Sequence, residues 1–297
     1  MGTRIHVRRR AVITAIAIAV GVSVAVTASQ GPTAPAAAQT ARATAPLDLT
    51  GYWVSVITED WRWRMLTPPR GDAQGVPLSI EGRKVADSWD LRKDNAAGHQ
   101  CKAFGAGGIM RIPGRLHITW QNDNTLRIDT DAGQQTRIIH MLGGRSTGGG
   151  LPAEALMSKP SRATPQGHSV GRWEGRSDGA PLLNEETPSA ARARGAAPPQ
   201  KGSLKAVTVA MTAGYFRKNG LAYSENAVLT EYFDRHDDYG SEWFTVLTVL
   251  EDPKYLISPF VTTTHFKRER DSSKWNPQPC ETLPPTTDFV AKGESVG

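Results

Sequence analysis

The sequence predicts a mainly β protein with one short helix, folded either as an antiparallel barrel or as a two-part β-barrel or sandwich. Its 29 Gly, 20 Pro and eight Trp residues suit strands that are joined by turns. About four β-prone segments lie on each side of a middle region rich in Gly, Ala and Pro. Strands that follow one another through short turns form antiparallel sheets, which close into barrels or stack as sandwiches.

Residues 1–28 are predicted to be a signal peptide. Residues 8–10 are all arginine, a mostly apolar run covers residues 11–26, and small residues that suit cleavage follow. An uncleaved membrane anchor is the alternative, because the run approaches the ~20 residues of a membrane span. We therefore expect a periplasmic or secreted protein with no stable membrane span after cleavage.

The positive charge of the chain belongs mostly to this leader. The whole chain carries +6, but residues 1–45 hold five arginines and no acidic residue, so the remainder carries 6 − 5 = +1. A nearly neutral body lacks the basic surface that nucleic acids require. The sequence therefore predicts no nucleic-acid partner, and it predicts no cofactor.

Residues 29–147 are predicted to form a spacer followed by the first group of strands and one helix. Residues 29–46 are rich in Ala, Pro and Thr and are predicted to be a disordered spacer. An N-terminal β half covers residues 47–147 and opens with the β-prone segment "LTGYWVSVI". A short helix is expected over "SIEGRKVADSWD", with Ser79 as its N-cap and Glu81 in its first turn. The segments "RLHITWQ", "TLRIDTDA" and "QQTRIIHM" are predicted strands, the first two joined by an Asn-Asp-Asn turn.

The second half follows a long linker. Residues 148–205 are predicted to be linker loops around one ordered motif at 167–175, and roughly residues 176–202 are predicted to be mobile. A C-terminal β half covers residues 206–285, with strands in "LKAVTVAM", "YSENAVLTEYFD", "EWFTVLTVLE" and "YLISPFVTTTHFKRE". Residues 286–297 are a polar tail.

Two Gly-x-Trp triplets end at Trp53 and Trp173. In lipocalin-like barrels, the Trp of such a triplet closes one barrel end beneath the first strand. The pair of triplets favours a lipocalin-like barrel and a chain organised in two parts.

Several motifs carry a family resemblance. They are "DAGQQTR" at 131–137, "GHSVGRWEG" at 167–175, "YSE" at 223–225, "TEY" at 230–232, "DPKY" at 252–255 and "WNPQPC" at 275–280. Over about residues 48–280 the chain resembles a large family of exported, mostly uncharacterised bacterial proteins. Many members continue W-E-G with D-T-L-V-V, whereas this chain has "RSDGAPLLNEE". The resemblance implies export and a β architecture, and it implies no particular reaction.

The chain holds two cysteines, Cys101 and Cys280. An even number of cysteines in an exported protein predicts a disulfide, because the compartment is oxidising. The alternative is two unrelated buried thiols. A bridge would join the first group of strands to the end of the last strand.

Residues 219–236, "NGLAYSENAVLTEYFDRH", place polar side chains on both sides of a predicted strand. A half-buried strand should alternate apolar and polar residues. Polar groups on both faces suit a barrel whose interior is not dry, in which Asn226, Glu231 and Tyr232 find hydrogen-bond partners or a ligand. A solvated edge strand with cross-strand pairs is the alternative.

The predicted site combines the polar residues of both halves. We predict catalytic roles for Glu231, His140 and Asp131. Six further residues are predicted to bind the ligand, namely Trp63, Trp173, Tyr223, Asn226, Arg137 and His265. The structural alternatives are a turn at Asp131, structural strand histidines and core packing of the tryptophans. No metal site is predicted, because the histidines lack the short spacing of zinc ligands.

Three function classes remain open. The first is a barrel that binds a small, partly apolar ligand, which predicts an apolar pocket with few titratable groups. The second is a cofactor-independent lyase (hydratase or dehydratase) or isomerase on the same barrel, by analogy with hydratase-like barrels, which predicts a carboxylate or histidine with a raised pKa in a closed pocket. The third is a cell-envelope interaction protein, which predicts an exposed apolar patch.

Overall fold

The computed structural model describes residues 1–2, 40–146, 160–175 and 202–285. The predicted signal peptide beyond residue 2, most of the spacer, the tail and nearly all of the segment predicted to be mobile lie outside these residues. Within the described part of the chain, no helix is both long enough and apolar enough to cross a membrane.

Nine strands form one closed barrel, which confirms the mainly β prediction. The strands of the chain, in order, are β1 (Gly51–Val56), β2 (Arg115–Asn122), β3 (Thr125–Thr130), β4 (Thr136–Ser146), β5 (His168–Gly175), β6 (Gly202–Val209), β7 (Gly214–Arg217), β8 (Leu221–Tyr223), β9 (Val228–Asp238), β10 (Ser241–Glu251) and β11 (Phe260–Glu269). The barrel order is β1-β11-β10-β9-β6-β5-β4-β3-β2, and β2 returns to β1. Strands β7 and β8 form a separate hairpin.

The two halves of the chain do not form two separate parts. Strand β4 of the first half pairs with β5, and β1 pairs with β11, so both halves share one sheet. The β4–β5 pair is parallel, whereas the other neighbouring pairs of the barrel are antiparallel. The expectation of a purely antiparallel barrel therefore needs this correction.

In the described part of the chain, four short α-helices replace the single helix that was expected. They are α1 (Trp61–Arg64), α2 (Ile80–Ser88), α3 (Leu91–Ala96) and α4 (Ala106–Ile109). The predicted helix is α2, and the Ser79 hydroxyl accepts a hydrogen bond from the Gly82 N–H at 3.0 Å. The other three have four to six residues, which is too short for a periodic apolar pattern to be recognised.

The barrel interior is filled by side chains in two apolar clusters. The larger cluster surrounds Trp53, whose ring meets Phe244 edge-on at 4.8 Å between ring centres. The second lies where β9 and β11 begin and β10 ends, around Leu229, Leu250 and Phe260. Helices α2 and α4, the β7–β8 hairpin and several connecting segments supply the rest of that cluster.

The two Gly-x-Trp triplets have one common role. The segment at residues 40–50 packs on the barrel, with Ala41 and Leu49 buried. Trp173 donates its indole N–H to the Ala41 carbonyl at 2.7 Å, and Trp53 donates to the Leu49 carbonyl at 2.9 Å. Gly171 is needed because an added Cβ would lie 2.6 Å from both Ile139 and Met141. Residues 40–46 of the predicted spacer are therefore part of the folded body.

The predicted disulfide is present. Cys101 and Cys280 are bonded, with their Cα atoms 5.1 Å apart. The loop that it closes spans 179 residues and ties the end of the chain to the segment before α4.

The polar stretch at residues 219–236 is not one strand. Strand β8 ends at Tyr223, and β9 begins at Val228. Between them the Ser224 hydroxyl donates to Asp252 at 2.9 Å, and Asn226 is exposed. In β9 the side chain of Glu231 points into the barrel and its neighbours point outwards. Polar residues on both sides therefore reflect a turn followed by a strand with one buried acidic group.

Candidate functional site

The barrel interior contains one buried ion pair. Arg137 on β4 reaches Glu231 on β9 with two parallel hydrogen bonds, Nη1 to Oε1 at 3.0 Å and Nη2 to Oε2 at 2.6 Å. Both side chains are completely buried. A lone buried charge would be strongly unfavourable, so each group depends on the other for its place in the barrel.

Hydroxyl groups surround this pair on the inner wall. Thr208 lies 3.5 Å from Arg137 Nη2 and 2.7 Å from the Ser169 hydroxyl. Thr248 and Thr262 lie beside Glu231 in one row across β9, β10 and β11. The hydroxyls of Thr248, Thr262 and Thr264 are buried and have no hydrogen-bond partner among the described residues. Internal water is the usual partner of buried hydroxyl groups of this kind.

The geometry of the pair suits a structural role. Arg137 engages both oxygens of Glu231, and the pair joins β4 to β9 across the barrel interior. Tyr223 packs beside α4, where an added Cβ on Gly107 would lie 2.7 Å from the phenol ring. Burial raises the pKa of Tyr223 to about 12, although the Gly107 N–H and the Arg137 charge act in the opposite direction.

A groove on the outside of the barrel is open to ligands. It has a volume of about 250 Å³, and we call it the aromatic groove. Its lining residues are His117, Asp129, Thr130, Gln134, Gln135, Thr136, Trp275 and Pro277. His117, Asp129 and Thr136 are direct neighbours across β2, β3 and β4. Cross-strand pairing therefore gathers side chains that lie up to 19 positions apart in sequence.

Aromatic rings form one wall of the groove. The His117 ring stacks on Tyr52 with ring centres 4.1 Å apart and planes 2° from parallel. Trp275 meets both rings edge-on, at 5.9 Å from Tyr52 and 6.2 Å from His117. The stack fixes the His117 ring, and Trp275 is half-buried. His117 and Trp275 therefore present two aromatic surfaces set at 68° to each other, within reach of solvent.

Amide groups also line the groove, and Asp131 shapes the turn that carries them. The Asp131 carboxylate accepts from the Arg115 N–H at 2.6 Å, and its carbonyl accepts from the Gln278 N–H at 2.8 Å. Gly133 follows with a φ of 74°, a left-handed conformation that favours glycine. Gln135 Nε2 then donates to the Gly133 carbonyl at 2.6 Å. The turn alternative for Asp131 agrees with this geometry.

Asp129 supplies the charged acceptor of the groove. Arg127 donates to its two oxygens from Nε at 2.7 Å and Nη2 at 2.8 Å, and the Thr136 hydroxyl donates at 2.5 Å. Partial burial alone would raise the pKa of Asp129, but these hydrogen bonds outweigh it and hold the pKa below its ordinary value. Asp129 is therefore an ionised hydrogen-bond acceptor at neutral pH.

The remaining predicted residues do not join Glu231. His140 is exposed on the outer face of β4, since Arg137 and Ile139 occupy the inner face, and its ring lies 5.1 Å from that of His168. Trp173 belongs to the contact with residues 40–50 described above. The proposal of one cavity shared by Glu231 and His140 therefore needs correction, because alternate residues of β4 point to opposite faces.

Two more residues predicted to bind the ligand, His265 and Trp63, do not line the aromatic groove. His265 Nδ1 is 2.9 Å from the Thr245 hydroxyl, and its Nε2 is 3.6 Å from Glu59. Trp63 lies beneath the Arg217 guanidinium, 4.7 Å from the ring centre, and donates its indole N–H to Asp72 at 3.3 Å.

Sequence reasoning missed the main residues of the aromatic groove. His117 and Tyr52 give no local signal, because the register of β1, β2 and β3 brings them together. The motifs "DAGQQTR" and "WNPQPC" did contain Gln134, Gln135 and Trp275. The two motifs meet in the structure, where the Gln278 N–H donates to the Asp131 carbonyl at 2.8 Å.

Among the residues that the structure describes, no group of three or more His, Cys, Asp or Glu side chains is arranged to hold a metal ion. No protein-family model, no curated protein and no solved structure matches the chain. The resemblance to exported bacterial proteins therefore stays a prediction.

Proposed function

We propose that this chain is an exported β-barrel protein that binds a small polyhydroxylated molecule, such as one sugar ring, in the aromatic groove. The observation that carries the proposal is that the rings of His117 and Trp275 line one groove together with the carboxylate of Asp129 and the amides of Gln134 and Gln135. This combination offers an apolar surface and directed hydrogen bonds within one groove.

The chemistry of a sugar fits these walls. One face of a sugar ring carries C–H groups, which pack well on an aromatic surface. Its hydroxyls need both donors and acceptors, which glutamine amides and an aspartate carboxylate provide. Ligand pockets for drug-sized molecules measure roughly 300–1,000 Å³, and the groove, at about 250 Å³, suits a smaller ligand of about one ring.

Export is part of the proposal and has separate support. The arginine-led apolar run at the N-terminus has the pattern of a secretion signal. A disulfide joins Cys101 to Cys280, as is common in proteins that function outside the cytoplasm. Expression in a bacterial host, fractionation and mass spectrometry of the mature N-terminus test this part. A full-length chain confined to the cytoplasm would contradict it.

The catalytic alternative has weaker support. A lyase or isomerase reaction was expected to use Glu231 with His140, and these residues lie on opposite faces of the barrel wall. Glu231 has both oxygens engaged by Arg137. Binding without chemistry therefore accounts for more of the site than acid–base catalysis does.

Nuclear magnetic resonance titration with glucose, N-acetylglucosamine and their short oligomers tests the binding proposal. We expect saturable shifts of the Trp275 indole N–H and the Gln135 amide for at least one sugar. Trp275→Ala should weaken that binding by roughly tenfold or more, as removal of a central aromatic contact does. Trp61→Ala is the matched control, because Trp61 is exposed and does not line the groove. Absence of saturable binding for every sugar, or equal losses in both variants, would overturn the proposal.

A further inference from the structure

Positively charged side chains line a narrow cleft beside α1 and the β7–β8 hairpin, which we call the cationic cleft. Its lining includes Arg64 on α1, Arg111 just after α4, Arg217 at the end of β7, and Lys218. Trp63 forms one side. The free space is about 10 Å³, about that of a single water molecule.

Two of these arginines are only partly satisfied. Arg64 donates from Nε to the Arg111 carbonyl at 3.1 Å and pairs with Glu59 through Nη1. Arg111 pairs with Asp60 through Nη2 at 2.8 Å. Both side chains are at least nine-tenths buried, yet Arg64 Nη2 and Arg111 Nη1 have no hydrogen-bond partner among the described residues.

Among the described residues, Arg217 lacks the ion pair with a carboxylate that Arg64 and Arg111 each form. Its guanidinium lies over Trp63, at 4.7 Å, and near Phe260, at 5.6 Å from each ring centre. It donates from Nη1 to the Gln74 carbonyl at 2.9 Å, and its Nε has no partner in the described part of the chain. No described carboxylate forms an ion pair with Arg217, which is 5 % exposed.

The charge of the cleft is unbalanced. The nearby carboxylates of Glu59, Asp60 and Asp72 each pair with a different arginine. Lys218 donates to the Met65 carbonyl at 3.4 Å and, like Arg217, pairs with no described carboxylate. Two buried or half-buried cations therefore have no ion-pair partner among the described residues, and Asp60 and Asp72, which attract Arg217, are each already paired with another arginine.

The electrostatic cost of this arrangement is visible in the pKa values. Burial lowers the pKa of Arg217 to about 10, and the neighbouring charge of Arg111 adds to the effect. Arg64 is lowered to about 10, again mainly by burial and again with a contribution from Arg111. Burial lowers the pKa of Lys218 to about 8. An anion in the cleft would offset both the desolvation and the mutual repulsion of these cations.

We propose that the cationic cleft binds one oxyanion, a carboxylate or phosphate group, with an oxygen in the space between Arg64, Arg111 and Arg217. Three unpartnered guanidinium nitrogens supply the charged donors that such groups prefer. The small volume admits a single oxygen atom, and the rest of the anion would lie towards Trp63 and Lys218. This site shares no lining residue with the aromatic groove, so it is independent of the function proposed above.

Titration of the full-length protein with sodium phosphate and sodium acetate at low ionic strength tests the proposal. The readout is the side-chain Nε–H resonance of Arg217, whose shift should saturate. Arg217→Gln should abolish the saturable anion-dependent rise in thermal stability and weaken binding by roughly tenfold or more. Arg92→Gln is the matched control, since Arg92 is 95 % exposed and lies on α3. It should retain the wild-type response.

A milder variant and a second measurement complete the test. If Arg217→Gln does not fold, Lys218→Gln at the edge of the cleft should still weaken binding by roughly threefold. Saturation by both salts supports a site for free anions. Native mass spectrometry of protein isolated from its host tests whether the bound oxyanion is part of an organic acid. A co-purified organic acid that is lost in either variant supports such a larger ligand. No saturable shift together with no variant-dependent bound mass would overturn the proposal, and so would equal responses in Arg217→Gln and Arg92→Gln.

Discussion

Two arginine–carboxylate pairs of similar geometry serve different regions of this barrel. In the interior, Arg137 engages both oxygens of Glu231 at 3.0 and 2.6 Å. On the outside, Arg127 engages both oxygens of Asp129 at 2.7 and 2.8 Å. The inner pair is completely buried, whereas the outer side chains are 44 % and 21 % exposed. Local geometry is therefore a poor guide to what an ion pair contributes.

Solvent decides the role of each pair. Water screens the outer pair, so the pair adds little stability and its oxygens can be shared with a ligand. The inner pair has lost its water, so each partner is strongly destabilising without the other. We therefore expect changes inside the barrel to affect folding and changes in the aromatic groove to affect binding.

Removal of the disulfide should produce the largest loss of stability and should also weaken sugar binding. The Cys101→Ser, Cys280→Ser variant frees a loop of 179 residues, which corresponds to about 5 kcal/mol of stability from chain entropy. Cys280 also lies 3.6 Å from Gln135, at the wall of the groove. Urea unfolding should show the loss, and sugar binding should weaken in the fraction that remains folded. An unchanged unfolding midpoint would contradict this account of the bond.

Loss of one inner charge should have the next largest effect. Glu231→Gln should lower the free energy of unfolding by about 3–5 kcal/mol, because it leaves Arg137 buried without a counter-charge. Asp129→Asn, the matched outer change, should cost at most about 1 kcal/mol. Urea denaturation of both variants measures the difference.

A double variant sharpens this test. Arg137→Met with Glu231→Leu replaces both charges by apolar groups of similar size, and such replacements are often neutral or stabilising. It should therefore be more stable than Glu231→Gln alone. Equal destabilisation of the inner and outer single variants would show that burial does not determine how much each pair contributes to stability.

The same contrast explains what the sequence could predict. The α2 cap, the hairpin of β2 and β3 and the disulfide rest on local patterns or on cysteine count, and each is present in the structure. Arg137 and Glu231 were both singled out as site residues. Their pairing was not foreseen, because it spans 94 positions and depends on barrel closure.

The parts that were missed depend on register. The Tyr52–His117–Asp129 row requires the pairing of β1 with β2 and of β2 with β3, and one residue of slippage would turn each side chain to the other face. His140 lies on the face opposite Arg137 for a simpler reason, since residues three apart in a strand point to opposite faces. The parallel pairing of β4 with β5 also leaves no mark on either strand, since alternation within a strand does not reveal the direction of its neighbour.

An intermediate effect is expected for ligand binding at the outer pair. Asp129→Asn keeps the shape of the side chain but removes the charged acceptor, so sugar affinity should fall by roughly tenfold. Isothermal titration with the sugar that binds the wild type measures the loss, and Glu231→Gln should bind normally wherever it remains folded. Normal binding by Asp129→Asn would show that the ligand does not contact Asp129.

The smallest effect concerns acid. The folded pKa of Asp129 lies below its ordinary value, because the hydrogen bonds from Arg127 and Thr136 outweigh its partial burial. Its modest contribution to stability is therefore complete above the ordinary aspartate pKa of about 3.9 and is lost only as the pH falls through the lowered folded value. Sugar affinity should fall in the same acid range, because protonation removes the charged acceptor. Carbon-13 resonances of the Asp129 carboxylate, recorded during the acid titration, give the pKa directly. A midpoint above that of an exposed aspartate such as Asp123 would contradict the pairing of Asp129 with Arg127.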